Sequence, residues 1–439
     1  MFLPESVLQC ICTLEQAGFE AYAVGGCVRD ALLGLTPHDY DLCTNATPEQ
    51  TAALFAEFTL VRSGEKHGTI GVVIDKQVIE ITTFRTEGGY QDSRHPDWVR
   101  FVSDIKEDLA RRDFTVNAMA WGPKTGYIDP FGGQPDLENR VLRAVGTPAE
   151  RFSEDALRIL RGVRFAVRFR LTPEAETKKA MTDLAPLMDK LAKERVFEEL
   201  CKLLPLVTAN ELLDYTEVLT QALPALIPSV GFLQHSPHHL YDVYTHTAQV
   251  VEDTPPELAV RWAALLHDSG KPACFILDEN GRGHFKGHAL VSGELANETL
   301  LQLKAPTALR ERVVFLITHH MTPLEADKRL LRRRLGQYGE AALMELLALQ
   351  EADFGGKGTG KDPSKFRQIR ALLAEILSEE ACLTVKDLRI DGRDLQAMGF
   401  APGPRIGKCL EWLLEQVQDE VLSNERQALL TAVKDFPEK

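Results

Sequence analysis

The sequence predicts an α+β protein in which the β-structure is confined to an N-terminal head and the rest of the chain is helical. Two observations carry this. The stretches Gly68–Ile74 and Gln77–Thr83 are β-branched and alternate in polarity, with Lys76 at the turn between them. From Thr147 onward apolar residues recur at helical spacing, as with Ile159, Val163 and Ala166. A length of 439 residues allows two to four domains, at about 150 residues each.

Pro4–Gly18 reads as an amphipathic helix through Val7, Leu8, Ile11 and Leu14, stopped by Gly18. After the apolar run Tyr22–Val24 come Gly25-Gly26, then Arg29-Asp30 on a short helical stretch, then a turn at Gly34–Pro37. Asp39-Tyr40-Asp41 follows, entering a strand, where residues two apart share a face. Two adjacent carboxylates repel unless a cation sits between them. Hard divalent ions such as Mg²⁺ take carboxylate and phosphate oxygens together. A glycine pair lets backbone N–H groups approach a phosphate. Gly25, Gly26, Asp39 and Asp41 therefore read as a nucleoside-triphosphate and two-metal site for in-line displacement at phosphorus. Either feature alone would be an ordinary turn or a solvated acidic pair.

Thr47–Phe58 reads as a further helix. Glu80 stands in an apolar strand, either facing solvent or as a third acidic group beside the metals. Phe84–Val102 is a long polar loop. Arg111, Arg112, Asp113 and Asn117 lie in one charged run, and Asp129–Gly133 is a turn. Thr147–Glu150 reads as a capping box with proline at the first helical position. Ser153-Glu154-Asp155 opens the next helix, with Arg158 one turn on. Between Arg140 and Arg170 there are eight arginines, Arg158, Arg161 and Arg164 among them, against three acids. This is a local basic track in a chain whose net charge is −14, and it suits an RNA backbone.

After a break at Leu206–Ser229, a second set of ligand-type residues begins. It comprises His246, His267-Asp268, His288, His319-His320 and Asp353, with Lys271 nearby. Imidazoles and carboxylates of this kind suit a divalent transition metal or Mg²⁺ rather than structural zinc. Lys328–Arg334 is a basic cluster, read either as a solvated helix face or as an RNA contact. The eight cysteines include no CxxC pair, which suits a reducing compartment. Met1–Gln9 lacks the basic start of a signal peptide. No apolar run reaches the roughly 18 residues of a membrane span.

The first motif (Gly25-Gly26, Arg29-Asp30, Leu32-Leu33-Gly34, Asp39-x-Asp41-Leu42) resembles that of the class II tRNA nucleotidyltransferases, the CCA-adding enzymes and bacterial poly(A) polymerases. Arg111–Ala118, Asp129–Gly133, Glu154-Asp155-x-x-Arg158 and Glu194–Leu200 resemble the later motifs. The resemblance implies a polymerase-β-like head, an all-helical neck, an HD body and a tRNA-binding tail. The boundaries expected are 1–135, 136–205, a connection at 206–232, 233–360 and 361–439. It implies Asp39 and Asp41 as catalytic metal ligands, with Glu80 as a candidate third. It also implies Gly25, Gly26, Arg29, Arg111, Arg112, Asp113, Asn117, Glu154, Asp155, Arg158, Arg161 and Arg164 as nucleotide-binding. Asp113 would accept from the ribose 2′-OH. Asp155 and Arg158 would select the base, with Glu154 holding Arg158. The Glu194–Leu200 helix would stabilise the neck rather than touch substrate.

The second set resembles the HD phosphohydrolases, with His246, His267, Asp268 and Asp353 on one metal and His288 and His319 as candidates for another. The implied partners are tRNA, CTP and ATP, with Mg²⁺ in the head, no membrane and a cytoplasmic setting; oligomeric state stays open. The reaction implied is addition of CMP and AMP to a tRNA 3′ end. The full-length polar loop favours CCA over CC addition. The alternatives are an A-adding enzyme or poly(A) polymerase, an HD phosphohydrolase with a regulatory nucleotide-binding head, and a non-catalytic RNA-binding protein.

Overall fold

The computed structural model describes residues 1–88, 98–236, 240–357, 362–379 and 381–437. The centre of the polar loop expected at Phe84–Val102, with Tyr90, Asp92, Arg94 and His95, lies outside them. The chain forms two compact units. The first comprises Met1–Val207, Glu211–Pro224 and Gln302–Lys304, and the second the remainder.

The first unit opens with α1 (Glu5–Gln16), β1 (Ala21–Val24), α2 (Gly26–Leu32), β2 (Asp41–Thr44) and α3 (Pro48–Leu54). Thr47 and Gln50 close a reciprocal capping box at the start of α3, which ends earlier than expected. Then come β3 (Thr59–Val61), β4 (Thr69–Ile74) and β5 (Gln77–Thr83). A separate hairpin, β6 (Arg85–Gly88) with β7 (Trp98–Phe101), holds the ends of the polar loop. After α4 (Ile105–Ala110) come β8 (Ala120–Gly122) and β9 (Gly126–Ile128). Seven strands form one mixed sheet in the order β3-β4-β5-β2-β1-β8-β9. β2 is central because Leu42, Cys43 and Thr44 are fully buried, and only its first residue, Asp41, reaches solvent. Tyr22, Val24, Cys43, Phe84 and Leu109 pack together in the core behind it.

The neck begins with α5 (Gly133–Glu138), α6 (Pro148–Glu154), α7 (Leu157–Phe169), α8 (Ala175–Asp183) and α9 (Lys193–Leu203). It is not purely helical: β10 (Val141–Leu142) pairs with β11 (Thr172–Pro173). Three expectations change here. Thr147 precedes α6 without a side-chain cap, so no capping box forms. Asp155 does not lie within a helix. It has extended backbone (φ −141, ψ 101) in the break between α6 and α7. The segment taken as a break at Leu206–Ser229 is helical, with α10 (Ala209–Asp214), α11 (Thr216–Ala222) and a 3₁₀ turn at Pro224–Ser229.

The second unit is helical apart from a short hairpin at Ile276–His284. α12 (Val243–Asp253), α13 (Leu258–Leu266), α14 (His288–Gln302), α15 (Thr307–His319), α16 (Lys328–Tyr338) and α17 (Glu340–Gly355) form its body. α18 (Ser364–Ser378), α19 (Gly392–Ala397), α20 (Pro404–Gln418) and α21 (Arg426–Ala432) follow. Three of the five basic residues of α16 pair with carboxylates elsewhere in the same unit. Lys328 pairs with Glu375 and Glu379, Arg332 with Glu379 and Glu420, and Arg333 with Asp419. These pairs tie part of the cluster into an intramolecular clasp, while Arg329 and Arg333 keep exposed side chains. Among the described residues no helix is long and apolar enough to cross a membrane.

Candidate active site

Asp41 starts β2 in register with Glu80 on the parallel neighbour β5 and with Val24 on β1. Asp39 lies two residues before the strand, and Asp39, Asp41 and Glu80 are all exposed. The three carboxylates do not gather to within 4.8 Å of one another as a set. Packing of the strand end desolvates Asp41 and Asp39 adds repulsion, so its pKa is raised although Arg112 pulls the other way. Glu80 is raised by desolvation and then by Asp41 and Asp39. Mutual repulsion at one end of a sheet is what a cation would relieve, so the acidic donors fit a hard divalent ion.

Gly25 has φ +75, and a Cβ there would meet the Arg112 guanidinium at 2.7 Å. The positive φ favours glycine, and its lack of a side chain leaves room for the Arg112 guanidinium. Beside it Arg29 is buried against the Phe169 ring, 4.2 Å from the centroid, and binds Asp30 and the Asn117 amide oxygen.

Facing these, the α7 sequence places Arg158, Arg161, Arg164 and Arg168 three or four residues apart, on one stripe. Its other face, with Ile159, Val163 and Ala166, enters the core. Head and neck together line a cleft of about 420 Å³. Its walls hold Gly25, Gly26, Arg29, Asp41, Arg111, Arg112, Asp113, Asn117, Asp155, Arg158, Arg161 and Arg164 from the sequence expectation. Glu154 stands behind Arg158, and Asp39 and Glu80 are not among the lining residues. Eight arginines against three aspartates make the cleft strongly cationic, which suits a polyanion.

The arginines are pre-aimed. Arg158 donates to Glu154 at 2.8 Å, as expected, and to the carbonyls of Arg151 and Arg111. Asp113, expected to face a ribose hydroxyl, is engaged within the protein. It accepts from Arg161 at 2.7 and 2.9 Å, from the Asn117 amide and from the Phe114 N–H. Burial would raise its pKa, but Arg161 and Asn117 hold it down to about 2. Asp113 therefore positions Arg161 and Asn117.

Two side chains of α9, within the motif expected to stabilise the neck, bear on the cleft in ways the sequence did not specify. Arg195 lines the cleft and grips Asp155 at 2.8 and 3.3 Å. Glu199 meets Arg164 at 2.5 Å with both side chains buried. Removing one partner of a buried pair strands the other charge. Glu199→Ala is therefore expected to destabilise the fold by about 3 kcal/mol, read as a lower midpoint in urea unfolding.

The second unit brings together His246 from α12, His267 and Asp268 after α13, and Asp353 from α17, with donor atoms within 4.8 Å of one another. Asp268 also faces His288 at the start of α14 and His320 after α15. This corrects the expectation for His319: its ring stacks on Phe315, and its neighbour His320 turns inward. Each inward imidazole is held by its Nδ1 on a backbone carbonyl. His246 uses Gly356 O, His267 Ala264 O, His288 Phe285 O and His320 Ile317 O, at 2.6–3.0 Å. A carbonyl only accepts, so Nδ1 carries the proton and Nε2 faces the centre. His267 Nε2 is buried there without a hydrogen bond. Burial disfavours charge on His246, but Asp268 and Asp353 raise its pKa to about 9. Burial and then His267 lower His320 to about 4. Lys271 lies 2.6 Å from Asp268, and Lys357 donates to Asp353 at 2.9 Å.

Asp41 at a sheet end, in a cleft lined by guanidinium groups of the neck, fits the class of nucleotide-transferring enzymes. Family models match as the Poly A polymerase head domain over residues 21–143, the RNA and SrmB-binding site of polymerase A over 170–228, and tRNA nucleotidyltransferase domain 2 over 288–433. The chain is 37% identical to a CCA-adding enzyme of Levilactobacillus brevis, over 96% of each chain. It is 34% identical to that of Streptococcus gordonii, over 99% of this chain and 98% of the other. The structure of the Bacillus stearothermophilus CCA-adding enzyme in complex with CTP matches with a TM-score of 0.76 and 28% identity, over 99% and 98% of the chains. The chain belongs to the CCA-adding enzyme family.

Proposed function

We propose that the protein adds CMP and then AMP, from CTP and ATP, to the 3′ end of tRNA without a nucleic-acid template, releasing pyrophosphate. The reading rests on the unused hydrogen-bonding capacity of Asp155 and Arg158 in the cleft that Asp41 also lines. A carboxylate has about four acceptor directions. Asp155 uses three, on the Leu157 N–H and the two Arg195 nitrogens. Arg158 commits donors to Glu154, Arg151 and Arg111, leaving its Nε–H and one Nη2–H for a ligand. One acceptor beside donors complements the exocyclic amine and ring acceptors of cytosine and adenine. Uracil and guanine present a carbonyl where the amine would be.

Arg29, Arg111 and Arg112 would hold the triphosphate while Gly25 and Gly26 let the backbone come close. Mg²⁺ on Asp39 and Asp41, when bound, supplies activation of the RNA 3′-hydroxyl and charge for the leaving pyrophosphate. The soluble reactants fit a cytoplasmic setting.

The test is extension of tRNA transcripts ending before CCA, after C and after CC, each with CTP, ATP or both. The expected result is CTP addition to the first and a single A after CC. Addition of A alone, only after CC, would make this an A-adding enzyme. No addition by folded, tRNA-binding protein would sink the reading.

A second reading concerns the His/Asp cluster, favoured by the convergence of four Nε2 atoms on two buried aspartates. This is an HD-type metal site with phosphohydrolase chemistry, in which His246, His267, Asp268 and Asp353 hold one ion. Asp268, His288 and His320 would hold another. The N/O donor set suits Mn, Fe, Ni, Co or Mg. Lys271 and Lys357 would steady a substrate phosphate.

A further inference from the structure

Asp155 sits where a helix breaks, so its own backbone does not fix the direction of its carboxylate. Two outside partners do. The Leu157 N–H donates to Oδ1 at 3.0 Å. Arg195 spans both oxygens, Nη1 to Oδ1 at 3.3 Å and Nη2 to Oδ2 at 2.8 Å. A planar guanidinium on two carboxylate oxygens sets the carboxylate plane as well as its distance. The one acceptor direction left lies on Oδ2, the oxygen that takes the shorter Arg195 bond.

Arg195 is itself held firmly. It lies in the first turn of α9, and one turn later Glu199 ties the same helix to Arg164 of α7. α7 also carries Arg158, so both base-facing groups are referred to one helix pair. Arg195 and Asp155 are mostly buried, which limits the competition of water for the pair.

We propose that Arg195 is a specificity-determining positioning residue that aims the free Asp155 oxygen at the exocyclic amine of the incoming base. The proposal rests on the base-selecting reading of Asp155 and Arg158 given above. Arg195 acts through Asp155 and need not touch the nucleotide. A lysine supplies a point charge without the fork, so it would attract Asp155 but not set its plane.

The experiment measures kcat and KM for CTP, ATP, UTP and GTP on tRNA transcripts ending before CCA and after CC. The proteins are wild type, Arg195→Gln, Arg195→Lys, Asp155→Ala and the double variant Arg195→Gln/Asp155→Ala. Arg195→Gln is expected to raise KM for CTP and ATP and to shrink their advantage over UTP and GTP by roughly tenfold. Arg195→Lys should recover part of that loss. In the Asp155→Ala background, removing Arg195 should change discrimination no further, because the acceptor it aims is already gone. A uniform fall in kcat for all four nucleotides with unchanged discrimination would overturn the proposal. So would a further loss of discrimination in the double variant. If Arg195→Gln does not fold, as judged by circular dichroism, Arg195→Lys against wild type carries the same comparison: unchanged discrimination overturns the proposal. A wild type that incorporates neither CTP nor ATP would instead refute the underlying reading.

Discussion

Asp41→Asn is expected to lower nucleotide addition more than a thousandfold, a barrier increase of about 4 kcal/mol, while leaving the protein at least as stable as before. The activity arm follows from donor chemistry: an amide is a far poorer ligand for a hard divalent ion than a carboxylate. The stability arm follows from position. Asp41 contributes to the sheet through its backbone register with Val24 and Glu80, which asparagine retains. Its carboxylate adds repulsion, since burial and Asp39 both push its pKa up. A neutral isostere removes that repulsion. Extension of a tRNA transcript gives the first quantity and a thermal melt the second. Residual addition above about one per cent of wild type would show that Asp41 does not hold an essential ion. A lower melting temperature would show that the repulsion inferred from the geometry is not felt. Glu80→Gln is the informative companion. Glu80 lies across from Asp41 but not in the cleft wall, so its loss should cost less activity than that of Asp41.

What could be read from the sequence was what depends on neighbours along the chain. The glycine pair, the paired aspartates and the strands around Glu80 are local patterns. The arginine stripe of α7 follows from helical spacing alone, and the structure places its members in one cleft. Pairings made by tertiary packing were not legible. Arg195 meets Asp155 across 40 residues and Arg161 meets Asp113 across 48. Nothing near Asp113 signals that its oxygens are taken. The interruption at Asp155 has no glycine or proline to announce it. His319 and His320 are adjacent, about 100° apart around a helix, and which one faces inward depends on how α15 is rotated against its neighbours. The ion pairs of the basic run of α16 were not legible because their acidic partners, Glu375 in α18, Glu379 just after it, and Asp419 and Glu420 just after α20, lie between 47 and 88 residues away.

His267→Ala is expected to abolish tight metal binding at the second cluster and to leave CCA addition intact. His267 is wholly buried, its Nδ1 is committed to the Ala264 carbonyl, and its Nε2, with no well-formed hydrogen bond, lies 3.2 Å from Asp268 Oδ2 and 3.8 Å from Asp353 Oδ1. A buried polar atom left unmatched costs about 1–3 kcal/mol, so it persists where something other than a hydrogen bond engages it. A bound metal would do so, and removing one of the four donors should cost the site most of its affinity. The measurement is metal content after loading with Mn²⁺ or Ni²⁺ and exhaustive dialysis, wild type against variant, alongside hydrolysis of p-nitrophenyl phosphate and the tRNA extension assay. The alanine also leaves a cavity in the helical body, costing about 2 kcal/mol, so the melt is recorded without metal to separate that loss from loss of the ion. His319→Ala is the discriminating control. Its ring stacks on Phe315 away from the cluster, so the variant should keep its metal. Equal metal retention by His267→Ala and wild type would sink the metal-site reading. The orphaned Nε2 would then be a packing cost of the helical body.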